Sequence, residues 1–317
     1  MEIIEKIYRL KKDAAKNISS FYRDYFTIDG MYTSLLPDKI YLKKLYKAKT
    51  GKELNLKNPT LFTEKLNWLK LYNRKPEYTV MADKYLARDF IAERIGKEYL
   101  VPLLAVYDSA EEIDFDALPN QFVLKCNHDS EVVICKDKKN NDFQSKKYRF
   151  SNTDEVRAYL KKRIGLNYFK ASREWPYKNI PRKIVCEKFM ENTNGEELHD
   201  YKLFVFNGKV KLIEVNSERF SGVCKEDHYD TDWNHFDVTG RPMYARGNAK
   251  PAFLNQMIEI SEKIAKDIPF IRVDFNYWNN NLYVGEFTFF YSGGMKLFKE
   301  PWESKMGEWI ELPPKTR

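Results

Sequence analysis

The hydrophobic pattern divides the chain into helices with 3.6-residue periodicity and short, alternating or wholly apolar strands. Apolar residues at positions 3, 4, 7, 10 and 14 predict an amphipathic N-terminal helix, and 1–75 as a whole reads as helical and charged. Within it, Phe62, Leu66, Leu69 and Tyr72 form a core stripe over 61–72. A second helix is expected from about 82 to 95, stopped by Gly96 as a left-handed cap. Residues 100–107 read as a β-run, Phe122–Cys126 and 132–135 as short buried strands, and the lysine- and asparagine-rich 136–150 as a surface loop. A helix over 153–164 follows, then a strand over 183–190 that runs into a polar connector at 191–197. Two β-rich segments, 201–206 and 209–215, flank Asn207-Gly208, a pair suited to a type I′ hairpin turn. Leu254, Met257, Ile258, Ser261, Ile264, Ala265 and Ile268 mark an amphipathic helix closed by Pro269. Helices alternating with antiparallel hairpins imply an α+β fold in several lobes, with no internal repeat.

The most informative segment is 270–288, FIRVDFNYWNNNLYVGEFT. Its arms are rich in β-formers, and three asparagines at its centre tolerate the left-handed backbone of a turn. If Asn279, Asn280 and Asn281 form that turn, Asp274 falls opposite Glu286 and Arg272 opposite Thr288. Side chains so opposed lie about 5 Å apart at Cβ, where two bare carboxylates repel. Mg²⁺, which favours one or two carboxylates plus substrate phosphates, would relieve the repulsion. Two other readings stand beside this one. The acids are solvated charges on an outer face, or Arg272 neutralises them without a metal. A one-residue change in register would send them to opposite faces.

Composition narrows the classes. With 43% hydrophobic and 15% aromatic residues over 317 positions, the chain can build a large core and is not disordered. No apolar run reaches the roughly 18–20 residues of a membrane span, and the first residues lack a signal-peptide core, so a cytoplasmic location is expected. The amphipathic N-terminal face packs on the body of the protein or, less favoured, touches the inner face of a membrane. Cys126, Cys135, Cys186 and Cys224 form no CxxC pair, which argues for free thiols. A net charge of +8 favours anionic partners, but no nucleic-acid motif occurs. Walker A, GxGxxG, kinase HRD and DFG, HExxH and GxSxG signatures are all absent.

Five further stretches, FTEKLNWLKLY (62–72), ADKY (82–85), FVLKCNH (122–128), HDYK (199–202) and GEFT (285–288), together with the hairpin, resemble the ATP-grasp superfamily, specifically its TupA-like branch associated with teichuronopeptide biosynthesis. The resemblance covers about 57–312. It implies an α+β ATP-grasp fold holding ATP between two antiparallel-sheet lobes. The implied division is a helical region over 1–75, a pre-grasp segment over 76–120, a lid lobe over 121–190 and a C-terminal lobe with the Mg²⁺ site over 191–317. Taken alone, Lys125 is a snorkelling surface lysine; by similarity to the entry segment of D-alanine–D-alanine ligase, Lys84 would meet the α-phosphate and Lys125 the α/β-phosphates, with Ser130 in the covering turn. Glu187 would sit at the adenine hinge and Asp200 at the ribose. Lys202 and Arg272 would face the γ-phosphate, and Asp274, Glu286 and Thr288 would hold Mg²⁺. Ser292, Gly293 and Gly294 would offer amides to a substrate carboxylate.

The resemblance implies a carboxylate–amine ligase working through an acyl phosphate and joining an amino acid or amine to a uronic acid of a bacterial surface polysaccharide or capsule. Two departures stand out. The covering turn, 127–131, has no glycine and carries Asp129 and Glu131, and Thr288 replaces the family's metal-binding asparagine. A kinase on the same scaffold, a glycosyltransferase of the same pathway and a non-catalytic subunit are the alternatives; no DxD motif supports the glycosyltransferase.

Overall fold

Bulky β-branched and aromatic residues in short runs, separated by Asn and Gly turns, fold into two antiparallel sheets of six strands each. The computed structural model describes residues 36–191, 199–217, 224–244 and 246–315. The predicted N-terminal amphipathic face and most of the 191–197 connector lie outside these.

The first sheet has the order β1-β6-β2-β3-β4-β5, from β1 (Leu103–Tyr107), β2 (Phe122–Cys126), β3 (Val132–Asp137), β4 (Asp142–Gln144), β5 (Arg149–Phe150) and β6 (Ile184–Lys188). The expected loop over 136–150 is thus partly strand. Phe143 and Phe150 are buried beside Phe115, Phe122 and the helix Thr153–Ile164, and that apolar anchoring overrides the polar composition around them.

The second sheet has the order β10-β9-β8-β7-β11-β12, from β7 (Asp200–Phe206), β8 (Lys209–Ser217), β9 (Lys225–Tyr229), β10 (His235–Phe236), β11 (Phe270–Trp278) and β12 (Asn281–Thr288). Asn207 and Gly208 both take positive φ, as the type I′ reading of the β7–β8 turn requires. One face of this sheet carries Leu203, Val205, Ile213, Ile271 and Val273, which share a core with the helix Leu254–Ile264. On the other face, Phe204, Phe206 and Phe270 meet Phe62 of the helix Phe62–Tyr72, Phe298 and Trp309. Beyond those aromatic rings the same face turns polar, and the candidate site lies there.

The β11–β12 hairpin reaches the expected pairing by another route. Its turn has two residues, Asn279 and Asn280, both left-handed, and Trp278 pairs with Asn281. That register alone would misplace the acids. A bulge at Gly285 restores it, so Asp274 lies opposite Glu286 and Arg272 opposite Thr288. The single helix expected over 82–95 is likewise two, Glu77–Ala82 and Ala87–Arg94. The break is stabilised by the Asp83 carboxylate, which accepts the amides of Tyr85 and Leu86. No described helix is long and apolar enough to cross a membrane.

Candidate nucleotide site

The break after Ala82 aims Lys84 at the second sheet. Its amide donates to the Asn127 carbonyl (3.1 Å), and the Asn127 side chain donates to Asp83 (2.9 Å). The Asn127 side chain also accepts from the Lys183 amide (2.9 Å), and its backbone amide donates to the Lys183 carbonyl (3.0 Å), so this buried residue ties the ADKY and KCNH segments to the residue entering β6. Sequence reasoning assigned it no role. Its signal was present, since a fully buried amide has to satisfy its donors and acceptors in place.

From there Lys84 Nζ reaches Glu286 at 3.1 Å. Arg272 donates from Nε and Nη2 to both oxygens of Asp274 (2.6 and 2.5 Å) and from Nη2 to Glu286 (3.2 Å). Burial pushes Asp274 up to about 7, helped by the neighbouring Glu286 and opposed by Arg272. Burial opposes ionisation of Glu286 too, but Lys84 and Arg272 outweigh it and bring its carboxyl down to about 2. Of the three sequence readings, mutual neutralisation by Arg272 is the state seen, and its guanidinium stands where a cation would bridge the acids. Hard carboxylate oxygens from adjacent strands, with the Thr288 hydroxyl across from Arg272, nonetheless fit Mg²⁺ once Arg272 turns to a phosphate.

The first sheet supplies the opposite wall. Lys125, predicted from sequence alone to reach solvent, is buried and pairs with Glu187 at 2.7 Å, and Arg88 approaches Glu187 at 3.7 Å. Glu187 lies on a central strand between Val123 and Leu103, so its carboxylate is what it has left for a ligand. Lys84, Arg88, Glu187 and Glu286 line one pocket between the two sheets. Around it, joined by ion pairs, four cationic side chains (Lys84, Arg88, Lys125, Arg272) face three carboxylates (Glu187, Asp274, Glu286), leaving a positive excess suited to phosphate.

Asp200 and Lys202 lie on the same sheet face. Lys202 is the cross-strand partner of Asp274, but its ammonium turns away from it, to Asp200 (2.7 Å) and Glu214 (3.5 Å). Ser130 is exposed, and its amide donates to Asp129. Asp129 in turn accepts a bidentate pair from Arg163 (both 2.5 Å), so its charge is neutralised before it can repel a phosphate. Ser292, Gly293 and Gly294 all have positive φ. The Gly293 amide is spent on the Phe290 carbonyl, and the carbonyls of Gly293 and Gly294 are held by Lys70 and Asn67. The segment is therefore anchored to the helix Phe62–Tyr72, and the amide of Gly293 is not available to a substrate.

Comparison with known proteins completes the picture. A family model described as TupA-like ATPgrasp matches residues 64–311. Comparison with curated proteins gives no match. Among solved structures, D-alanine–D-alanine ligase from Bacillus anthracis complexed with ATP is 15% identical over 67% of this chain and 55% of its own, with a TM-score of 0.37. The D-alanine–D-alanine ligase of Helicobacter pylori is 12% identical over 81% and 68%, with a TM-score of 0.41. A RimK domain ATP-grasp protein from Sphaerobacter thermophilus is 12% identical over 75% and 70%, with a TM-score of 0.38. The chain spans little more than half of the first of these, and the family assignment rests on the family model alone. By that match over most of its length, the chain belongs to the TupA-like ATP-grasp family.

Proposed function

We propose that the chain is an ATP- and Mg²⁺-dependent carboxylate–amine ligase that attaches an amino acid or amine to a uronic acid of a bacterial surface polysaccharide. One observation carries this reading. Lys84 and Arg88, from the helix break and the helix after it, meet Glu187 of the first sheet and Glu286 of the second in a single pocket, and Lys125 and Arg272 pair with those two acids from behind.

Lys84 and Lys125 take up phosphate charge, and both now rest on acids that a phosphate would displace. Arg272 swings from Asp274 to the γ-phosphate and so frees the two carboxylates. When bound, Mg²⁺ supplies charge neutralisation between the phosphates and these acids. A substrate carboxylate oxygen then bonds to the γ-phosphorus as the bond to ADP breaks. The amine attacks the acyl carbon, phosphate leaves, and the amine proton departs with solvent or a base. Lys202, one strand away from Asp274 and now held by Asp200 and Glu214, would turn to the γ-phosphate or the acyl phosphate it becomes. The basic surface suits an acidic acceptor.

The test is ADP release by purified protein against uronic acids crossed with amino acids and small amines. The reading expects ADP only when acid and amine are both present, with an amide product. Amine-independent formation of a stable phosphorylated sugar would establish a kinase instead.

A further inference from the structure

Two strands from Asp274, the same polar face carries a second cluster that nucleotide chemistry does not use. Glu214 on β8 pairs in register with Lys202 on one side and with His228 on the other, and Glu226 lies two residues before His228 on β9. One ligand atom from each of Glu214, Glu226 and His228 lies within 4.8 Å of the other two. All three are buried, with His228 only 1% and Glu226 4% exposed.

The contacts are incomplete. Glu214 Oε1 accepts from Asn216 (2.9 Å), its other oxygen accepts from Tyr291 (3.5 Å), and Lys202 stands 3.5 Å away. Glu226 Oε2 accepts from Arg241 (2.7 Å). His228 Nε2 and Glu226 Oε1, by contrast, are buried with no hydrogen-bond partner among the described residues. His228 Nε2 faces Glu214 at 3.6 Å and Glu226 Oε1 at 3.9 Å. An unsatisfied buried nitrogen aimed at two carboxylates is costly unless something lies between them.

We propose that Glu214, Glu226 and His228 form a zinc site, separate from the Mg²⁺ of the nucleotide. Ligands about 2.0–2.2 Å from a tetrahedral zinc lie roughly 3.3–3.6 Å apart, so the two His228 contacts, at 3.6 and 3.9 Å, need close by only a few tenths of an ångström, and the two carboxylates, within 4.8 Å of each other, by at most about 1.5 Å. An imidazole beside two carboxylates selects a borderline ion such as Zn²⁺ over Mg²⁺, which takes oxygen ligands only. Three protein ligands leave a fourth position open on the face shared with Lys202, where a substrate oxygen or nitrogen can bind. Lys296, 28% exposed and 3.6 Å from Glu226 Oε1, is the competing cation, and it can swing to solvent as the metal enters.

The test uses the full chain, stripped with chelator and titrated with Zn²⁺ alone, without nucleotide. Bound metal is read by elemental analysis after desalting, and Co²⁺ substitution by its visible spectrum. One equivalent of tightly held zinc is expected, with Co²⁺ bands of a low-coordinate nitrogen–oxygen site. His228→Gln should weaken binding by about 100-fold or more, as loss of one of three ligands requires. Lys296→Met should tighten it about tenfold, the effect of removing one partly screened charge. Absence of stoichiometric zinc in the wild type, equal retention by His228→Gln, or no gain with Lys296→Met would overturn the proposal. The Co²⁺ spectrum of the wild type decides the matter even if His228→Gln fails to fold. Because no nucleotide is present, failure here leaves the ligase reading intact.

Discussion

The two ends of one sheet face solve the same electrostatic problem differently. At the β11–β12 end, Asp274 and Glu286 are closed by protein cations: Arg272 grips the first with two hydrogen bonds, and Lys84 holds the second. At the β8–β9 end, Glu214 and Glu226 also have basic neighbours, yet among the described residues His228 Nε2 and one Glu226 oxygen have no hydrogen-bond partner. A self-neutralised cluster can release its guanidinium to an incoming phosphate without stranding a buried charge. A cluster with an open nitrogen, whose loosely held cation, Lys296, can turn to solvent, waits for an ion. The first end is built for a ligand that brings charge with its cation, the second for a cation alone.

The largest expected effect separates the two ends outright. Asp274→Asn combined with Glu286→Gln should reduce ATP-dependent turnover by about 10³-fold, since a bound metal contributes several kcal/mol of charge stabilisation. The same variant should keep its zinc, because Glu214 lies about 10 Å from Asp274 at two strand spacings. Turnover and metal content measured on one preparation check both halves. Unchanged turnover would remove the metal assignment from β11 and β12.

Nearly as large an effect should come from register. Inserting one alanine after Gly285 puts that alanine opposite Asp274 and turns Glu286 to the opposite face, so Mg²⁺-dependent ATP binding should fall to background. Removing Gly285 from that variant restores the native spacing, with alanine at the bulge and Glu286 again opposite Asp274, and should return much of the affinity, read by calorimetry. Failure of the rescue would mean that the bulge has a role beyond register.

That hairpin also shows how far sequence alone reaches. The two acids were legible because β-rich arms converge on a turn-forming centre. Their route to each other was not, since three consecutive asparagines do not say which two make the turn, and a strand glycine such as Gly285 does not declare itself a bulge. The phosphate lysines Lys84 and Lys125 were legible only through family resemblance. Lys125 by itself read as a solvent-reaching side chain, and burial beside Glu187 depends on a partner about sixty residues away. Glu214, Glu226 and His228 left no trace, because their meeting depends on the pairing of β8 with β9 rather than on ligand spacing along the chain. Charge signs misled at Asp129, whose neutralising Arg163 comes from a helix thirty-four residues on.

A smaller effect tests the first-sheet wall. Lys125→Met removes one charge-assisted phosphate contact, worth about 1.5–3 kcal/mol, and leaves Glu187 with Arg88 at 3.7 Å. ATP affinity should fall by roughly 10–100-fold, while zinc uptake at the β8–β9 end stays unchanged. Equal ATP affinity would place Lys125 in a purely structural pair.

The smallest effect uses a second buried histidine as the control for His228. His128 lies in the covering turn, and unlike His228 its Nε2 has a hydrogen-bond partner, the Leu166 carbonyl (3.1 Å), while Asn127 Oδ1 lies 3.4 Å from Nδ1. Burial lowers it from 6.5 to about 4, against the raising influence of Asp129. The folded state therefore binds fewer protons than the unfolded chain between those values. Its contribution to stability is present above pH 6.5 and is lost as pH falls toward 4, by at most about 1.4 kcal/mol per pH unit. Urea unfolding across that window should show the loss in the wild type and a flatter profile in His128→Gln. Adding saturating Zn²⁺ should leave the His128-dependent slope intact, because its Nε2–H is held by the Leu166 carbonyl and Asn127 Oδ1 covers Nδ1. A zinc-sensitive slope at His128 would mean that a satisfied histidine can bind as readily as an open one, and the contrast between the two ends of the sheet would lose its meaning.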